Sequence, residues 1–456
     1  ARGGYLIGFL DLGKAPNFII LDADPRKDLG VLADTRGRSI YTIVNGELHK
    51  NSLAYVDKTV TEPVEHAHWH AYMPPPVALP THYADAADGN HCTTENANII
   101  LFAVAGLDRM NWLSQNDASR ILVDDLERLD GGEVRDLRMG IVGTLDFFER
   151  PWGYQLTVAT NAFREDYELG GQDNFKALDY RLDIPVGKDM KFSVGKQKEP
   201  ISMDRLMTLI INPMQERASV SDAFQPPRNF GMLLSGNVLD GRMSLAGGVF
   251  NNFIDEGTSI GNGETAMTGR VSWLPFVSED ESNLVHVAFG ARTTNGKRGY
   301  EYRTVPEFNK SPFFVDTGLG AADRVNQYSF EAGWRRGPFW LMAEAVETRV
   351  DSPIQGSLDF SGYYVTANWI LTGEIRNYFS KNGTLGGVPV SRSVYQNGTG
   401  AWELAARWSS IRLNDGPVNG GDMDIISLGI NWWLSAKFNL GINYRYIFHE
   451  AESPVS

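Results

Sequence analysis

Three histidines, His66, His68 and His70, stand at alternate positions in HAHWH, with His82, His91 and Cys92 downstream. Every second side chain of an extended strand shares a face, so the three imidazoles would converge as ligands for zinc or copper. A polar turn near a membrane interface, where His and Trp are common, is the other reading of the same residues. No Cys-x-x-Cys-His haem attachment accompanies them. No nucleophile, base and orienting group stand at readable spacing, and His286 and His449 occur singly within or beside strand-like segments. The chain is therefore expected not to be an enzyme and to need no cofactor beyond a metal at the histidine cluster. A basic group, Arg292, Lys297, Arg298 and Arg303, has Glu301 and Glu307 among it. It reads either as a field that steers anions from outside or as an ordinary solvated loop.

The stretch from Lys191 to Gly236 starts as an alternating strand, breaks at Pro200, runs on through residues rich in Met, Asn, Pro and charge, and resumes alternation at Phe230. Structureless loops of that length usually carry function, and in the wall of a barrel such a loop narrows the pore. Composition agrees with a barrel. The 456 residues hold 47 glycines and 11% aromatics, and no run approaches the apolar length a spanning helix needs. The net charge of −14 argues against nucleic acid as a partner. A single cysteine, Cys92, allows no internal disulfide. The chain starts at Ala1 without Met or an apolar leader, which is the expectation for a mature exported protein.

Residues 1–97 hold short strand-like pieces and the Pro-rich MPPPVALP, and are expected to form a separate extramembrane or lumenal segment. From Asn98 the pattern changes to segments of roughly ten residues with one greasy and one wet face. In one of them Ile426, Leu428, Ile430 and Trp432 alternate with Ser427, Gly429 and Asn431. Trp and Tyr recur at segment ends, as in strands that cross a membrane with lipid outside and water inside. About fifteen such segments lie between 98 and 448, whereas bacterial single-chain barrels use even numbers. Either a closing strand lies beyond the given residues, or an N-terminal piece such as 40–48 closes the seam, because an open edge in lipid is too costly. The barrel is assigned to 98–456. Connections alternate tight and long. Residues 350–359 are expected among the long outer ones, and Gly373 to Gly398 is long on the nominally periplasmic side, where it is expected to fold into the lumen.

Several blocks in order resemble the phosphate-selective porin O and P family: Gly195-Lys196-Gln197-Lys198-Glu199-Pro200, Glu216-Arg217, Pro227-Arg228-Asn229-Phe230-Gly231, Arg135-Asp136-Leu137-Arg138, Ser361-Gly362-Tyr363-Tyr364, Leu371 to Arg376, and Gly400 to Leu404. The resemblance covers roughly 98–448 and leaves out nearly all of 1–97. It implies an all-β fold, a 16-stranded antiparallel transmembrane β-barrel with an inward-folded constriction loop, assembled as a homotrimer in the outer membrane of a Gram-negative bacterium. Lipid bilayer, lipopolysaccharide and small anions are then the expected partners.

The resemblance places Arg205 and Thr208 where the loop supplies a cation and a hydroxyl, and adds Lys198 from the loop's start. It places Arg135 at the first of two arginine positions. The second is Asp136 here, which would repel phosphate. The phase of Leu137, Met139 and Ile141 points Asp136 and Arg138 at the lumen, so Arg138 is the expected replacement, while Arg135 faces lipid unless a bulge re-aims it. The function expected is a water-filled channel for passive diffusion of small anions such as phosphate. The alternative is a structural sleeve or plugged scaffold that holds a periplasmic or metal-binding partner through residues 1–97.

Overall fold

A computed structural model describes residues 5–9, 17–21, 39–44, 47–51, 91–93, 97–123, 125–145, 149–160 and 176–450, the first few pieces as backbone only. His66, His68 and His70 lie outside the described residues. The chain divides into two compact units, Ala1–His68 and Trp69–Ser456. In the first, β1 (Tyr5–Phe9), β2 (Asn17–Leu21), β3 (Ser39–Val44) and β4 (Glu47–Asn51) form a four-stranded antiparallel sheet in chain order.

The second unit is built on one antiparallel sheet of sixteen strands. It begins with β5 (His91–Thr93), β6 (Ala97–Met110), β7 (Gly131–Leu145), β8 (Trp152–Thr160), β9 (Lys176–Val186) and β10 (Met190–Gln197). It continues through β11 (Asn229–Val238), β12 (Met243–Asn251), β13 (Thr265–Val277) and β14 (Asn283–Thr294). A small hairpin, β15 (Arg303–Thr304) and β16 (Val315–Asp316), interrupts the order before β17 (Arg324–Arg336), β18 (Phe339–Ser352) and β19 (Gly356–Ile370). A second one, β20 (Tyr378–Phe379) and β21 (Thr384–Leu385), precedes β22 (Ala401–Asp415), β23 (Val418–Ser435) and β24 (Phe438–Glu450). Neighbours in the large sheet are neighbours in sequence apart from those two hairpins. Residues 40–48, one expected closing piece, fall in β3 and β4 of the separate small sheet, and the sixteenth strand is β5.

The sheet is polar on its buried face and greasy on its exposed one. On β23, Ile426, Leu428 and Ile430 are exposed while Ser427 and Asn431 are buried. On β24, Leu440, Ile442, Tyr444, Tyr446 and Phe448 all face out, Ile442 to 77%. In water this surface would be a severe aggregation liability; in lipid it is the required one. Among the described residues no helix is long and apolar enough to cross a membrane, so the strands are the elements that fit a bilayer. Indoles mark one edge of the greasy band: Trp273 and Trp334 are exposed near short turns and Trp369 and Trp402 beside the long segment 371–400 on the same side, and Trp402 stacks on Trp432 at 5.2 Å. Ten residues along the strands from Trp369, Trp402 and Trp432 come Asp359, Arg412 and Asp422, where outward charges begin. Ten residues of tilted strand rise about 25 Å, the height of an outer-membrane apolar band.

The sheet curls round a central filling. Gln215 donates its backbone N–H to Asn443 of β24 and accepts from Arg445, while the adjacent Glu216 pairs with Arg135 of β7 and Gln215 also bonds Asp108 of β6. Strands from both ends of the sheet thus meet the same two residues. Residues 353–355, expected within a long loop, form a tight turn instead. Arg349 and Asp359 resemble loop charges but pair across β18 and β19 at 3.4 Å, and Gly356 closes the turn at φ +81°. The long segment on the other side packs on the buried face: Arg376 pairs with Glu403 of β22 at 2.8 Å, and Arg270 of β13 donates to the Asn382 and Gly383 carbonyls.

Candidate functional site

The loop 198–228 leaves β10 and returns as β11 from one strand pair, Gln197 opposite Asn229. Pro200 ends the strand because it cannot donate to the ladder. Two short helices follow α1 (Asp117–Val123) in chain order: α2 (Met203–Leu206), capped by the Ser202 hydroxyl accepting from the Arg205 N–H at 3.0 Å, and α3 (Ser219–Phe224). The loop is stitched to the buried face all round. The Asp204 N–H donates to Glu344 of β18 at 2.7 Å, Asn431 of β23 donates to the Pro213 carbonyl at 2.7 Å, and Gln327 of β17 to the Phe224 carbonyl at 2.8 Å. Arg407 of β22 donates to the Glu216 carbonyl at 2.9 Å, and Arg376 to the Ile211 carbonyl at 2.6 Å.

Between this loop and the segment 299–313 lies a cavity of 390 Å³. Nine of its lining residues are Arg or Lys and five are Asp or Glu, a cationic excess in a chain whose net charge is −14. Arg135, Arg138, Lys198 and Arg205 all line it, whereas Thr208 stays outside the lining with its hydroxyl buried. Arg135 reaches the cavity through a register shift. Gly106 pairs with Asp136 and Leu107 with Val134, so Arg135 is the extra residue of a bulge and turns inward to Glu216. Arg138 is buried between the exposed Met139 and the half-buried Leu137, as the strand phase requires.

The lining cations differ in how their charge is met. Arg228 pairs with Asp179 at 2.8 Å, Arg217 with Asp204 at 3.5 Å, and Arg292 with Glu199 at 2.9 Å. Arg205 instead donates to the Pro226 carbonyl at 3.0 Å and to the Gln225 carbonyl. Lys198 donates to the Leu206 and Met207 carbonyls at 3.0 and 2.7 Å, the C-terminal end of α2, where a cation is favoured. Carbonyl partners carry no formal charge, and carboxylates act on these two cations through space, Asp179 on Lys198 and Asp222 and Asp204 on Arg205. Burial, with Arg217 close by, pushes the Arg205 guanidinium down to about 10, still charged at neutral pH. Burial first, and then Arg217 and Arg228, pushes the Lys198 ammonium well below its ordinary value.

Arg217, Arg228 and Arg292 are site cations that position alone did not single out. Arg217 and Arg228 carried the signal, since they sit inside the sequence blocks quoted for the resemblance. Arg292, in the basic group read either as a field that steers anions or as a solvated loop, lies in β14, half-buried against Glu199 and Glu264. Lys297 and Arg298 of that group are exposed. Among the described residues no group of three or more His, Cys, Asp or Glu is placed to hold a metal ion.

An uncharacterised protein of Caulobacter vibrioides is 25% identical over 337 residues, 71% of this chain and 64% of the relative, so the chain spans somewhat less than two thirds of that relative's length. Among solved structures, OmpT of Vibrio cholerae is 10% identical, with 79% of this chain and 90% of that one covered and a TM-score of 0.47. The anion-selective porin from Comamonas acidovorans is 15% identical, with 78% and 90% covered and a TM-score of 0.45. The family profile of the phosphate-selective porins O and P matches residues 111–452, which include the loop 198–228 and all but one of the large sheet's last fifteen strands in full. The chain belongs to the phosphate-selective porin O and P family.

Proposed function

We propose that this chain forms a water-filled, anion-preferring diffusion pore in the outer membrane of a Gram-negative bacterium, and that it works as a homotrimer. The observation that carries the reading is the cationic cavity on the buried face of a sheet whose other face is apolar. The sheet closes into a barrel and the loop 198–228 is its constriction. β6 and β24 run in the same direction, so closure needs an antiparallel strand between them, the place β5 holds beside β6. An anion entering from the long-loop side passes the exposed cations Lys297 and Arg298 and reaches Arg205, charged at neutral pH, and Lys198, and their positive charge offsets part of the lost hydration. The pore performs no reaction on its solute and holds no cofactor. Phosphate and chloride are both within its range, and lipid and lipopolysaccharide surround the greasy band.

Liposome swelling tests this reading. Vesicles reconstituted with the protein are expected to swell in isosmotic anion-permeant salts far faster than protein-free vesicles, and Arg205→Ala is expected to reduce the anion-driven rate. Vesicles as tight as protein-free ones would favour the plugged sleeve instead. The trimer is tested by chemical crosslinking in detergent, where a ladder ending at three subunits is expected.

A further inference from the structure

The cavity's lining mixes paired cations with apolar side chains, and the mixture bears on which anion fits. Six of its nine cations face a carboxylate within 4.0 Å: Arg135, Arg217, Arg228, Arg292, Arg298 and Arg303. A guanidinium already paired with a carboxylate offers a second anion little net field. Such a chamber is poorly suited to strip water from a small, multiply charged oxyanion, which needs several uncommitted donors at once. The lining also includes the apolar side chains of Val305, Phe308 and Phe313 from the segment 299–313, and Leu209 of the loop. Leu209 and Phe313 are half-buried, and the Arg303 guanidinium sits 4.4 Å from the centre of the Phe313 ring. One chamber of 390 Å³ thus holds Lys198 and Arg205 in the same lining as apolar and aromatic side chains. That volume lies in the range of sites for organic ligands.

Resting on the pore reading above, we infer that the chamber prefers an organic carboxylate with an apolar or aromatic body over inorganic phosphate. The carboxylate meets Lys198 and Arg205 while the body lies on Phe313, Leu209 and Val305. Current block in planar bilayers tests this, with chloride as the carrier and benzoate or inorganic phosphate added at matched ionic strength. Benzoate is expected to block at a concentration at least about tenfold lower than phosphate. Phe313→Ala is expected to weaken the benzoate block by about fivefold and to leave the phosphate block in place. Phosphate block at an equal or lower concentration than benzoate, or a benzoate block indifferent to Phe313→Ala, would overturn the inference while leaving the pore intact. Absence of any chloride current would overturn the pore reading and the inference with it.

Discussion

Glu307 is the carboxylate on which most of the interior hangs. It takes Arg407 of β22, accepts from Ser409 at 2.5 Å and Ser427 at 3.2 Å, and accepts the Ser219 N–H at the start of α3 at 3.1 Å. It does so from φ +58°, a region non-glycine residues rarely occupy, so the contacts must offset backbone strain. Glu307→Ala leaves the buried Arg407 guanidinium uncompensated and is expected to destabilise the protein by about 3–5 kcal/mol, read as a lowered thermal transition in detergent. Lys198 carries the pH dependence. An ammonium with a depressed pKa is charged below that pKa and neutral above it, so anion preference should fall as pH rises from acidic to alkaline. Lys198→Arg should flatten that profile in reversal-potential measurements; an unchanged slope would place the titrating group elsewhere. The family resemblance placed Arg205 and Lys198 at the loop, and strand phase turned Arg138 inward. They did not show which cations are already paired, since Arg228 meets Asp179 and Arg292 meets Glu199 only across strands far apart in the chain.

The loop 198–228 takes its shape from the wall and from the two residues that launch it. Gly195, three residues before the loop, adopts φ +129°, where a side chain would collide with the Tyr180 carbonyl. Gly195→Ala is expected to break the β9 to β10 register and lower the yield of folded, heat-modifiable protein; normal yield would show that the wall yields there. Replacing 203–224 by a short Gly-Ser link should raise single-channel conductance several-fold, because it removes α2, α3 and Arg205 together. The strands themselves were legible, since period-2 alternation runs along most of them and Trp stands near the ends of several, such as Trp273, Trp334, Trp369 and Trp402. What the pattern hid was local. Outward charges at Arg349 and Asp359 look like a loop when read along the chain, yet they pair across neighbouring strands above the apolar band. The inward course of 371–400 was legible only as an excess of length on the wrong side; Arg376, which ties it to Glu403 and Ile211, gave no sign of its partners.

On the large sheet, an exposed apolar face about 25 Å high backs a buried polar face on which many charges of the described residues are matched in pairs, such as Arg270 with Glu331 and Arg376 with Glu403. The chain's acidity therefore says little about the pore. What an ion feels is the local imbalance of nine cations to five carboxylates around one cavity. The most direct test is the reversal potential of single channels in a planar bilayer under a potassium chloride gradient at neutral pH. A potential on the chloride side, reduced in Arg205→Ala, is the predicted result. A potential on the potassium side would contradict the account, because it would mean that the carboxylates of the lining, and not Lys198 and Arg205, set the field along the path.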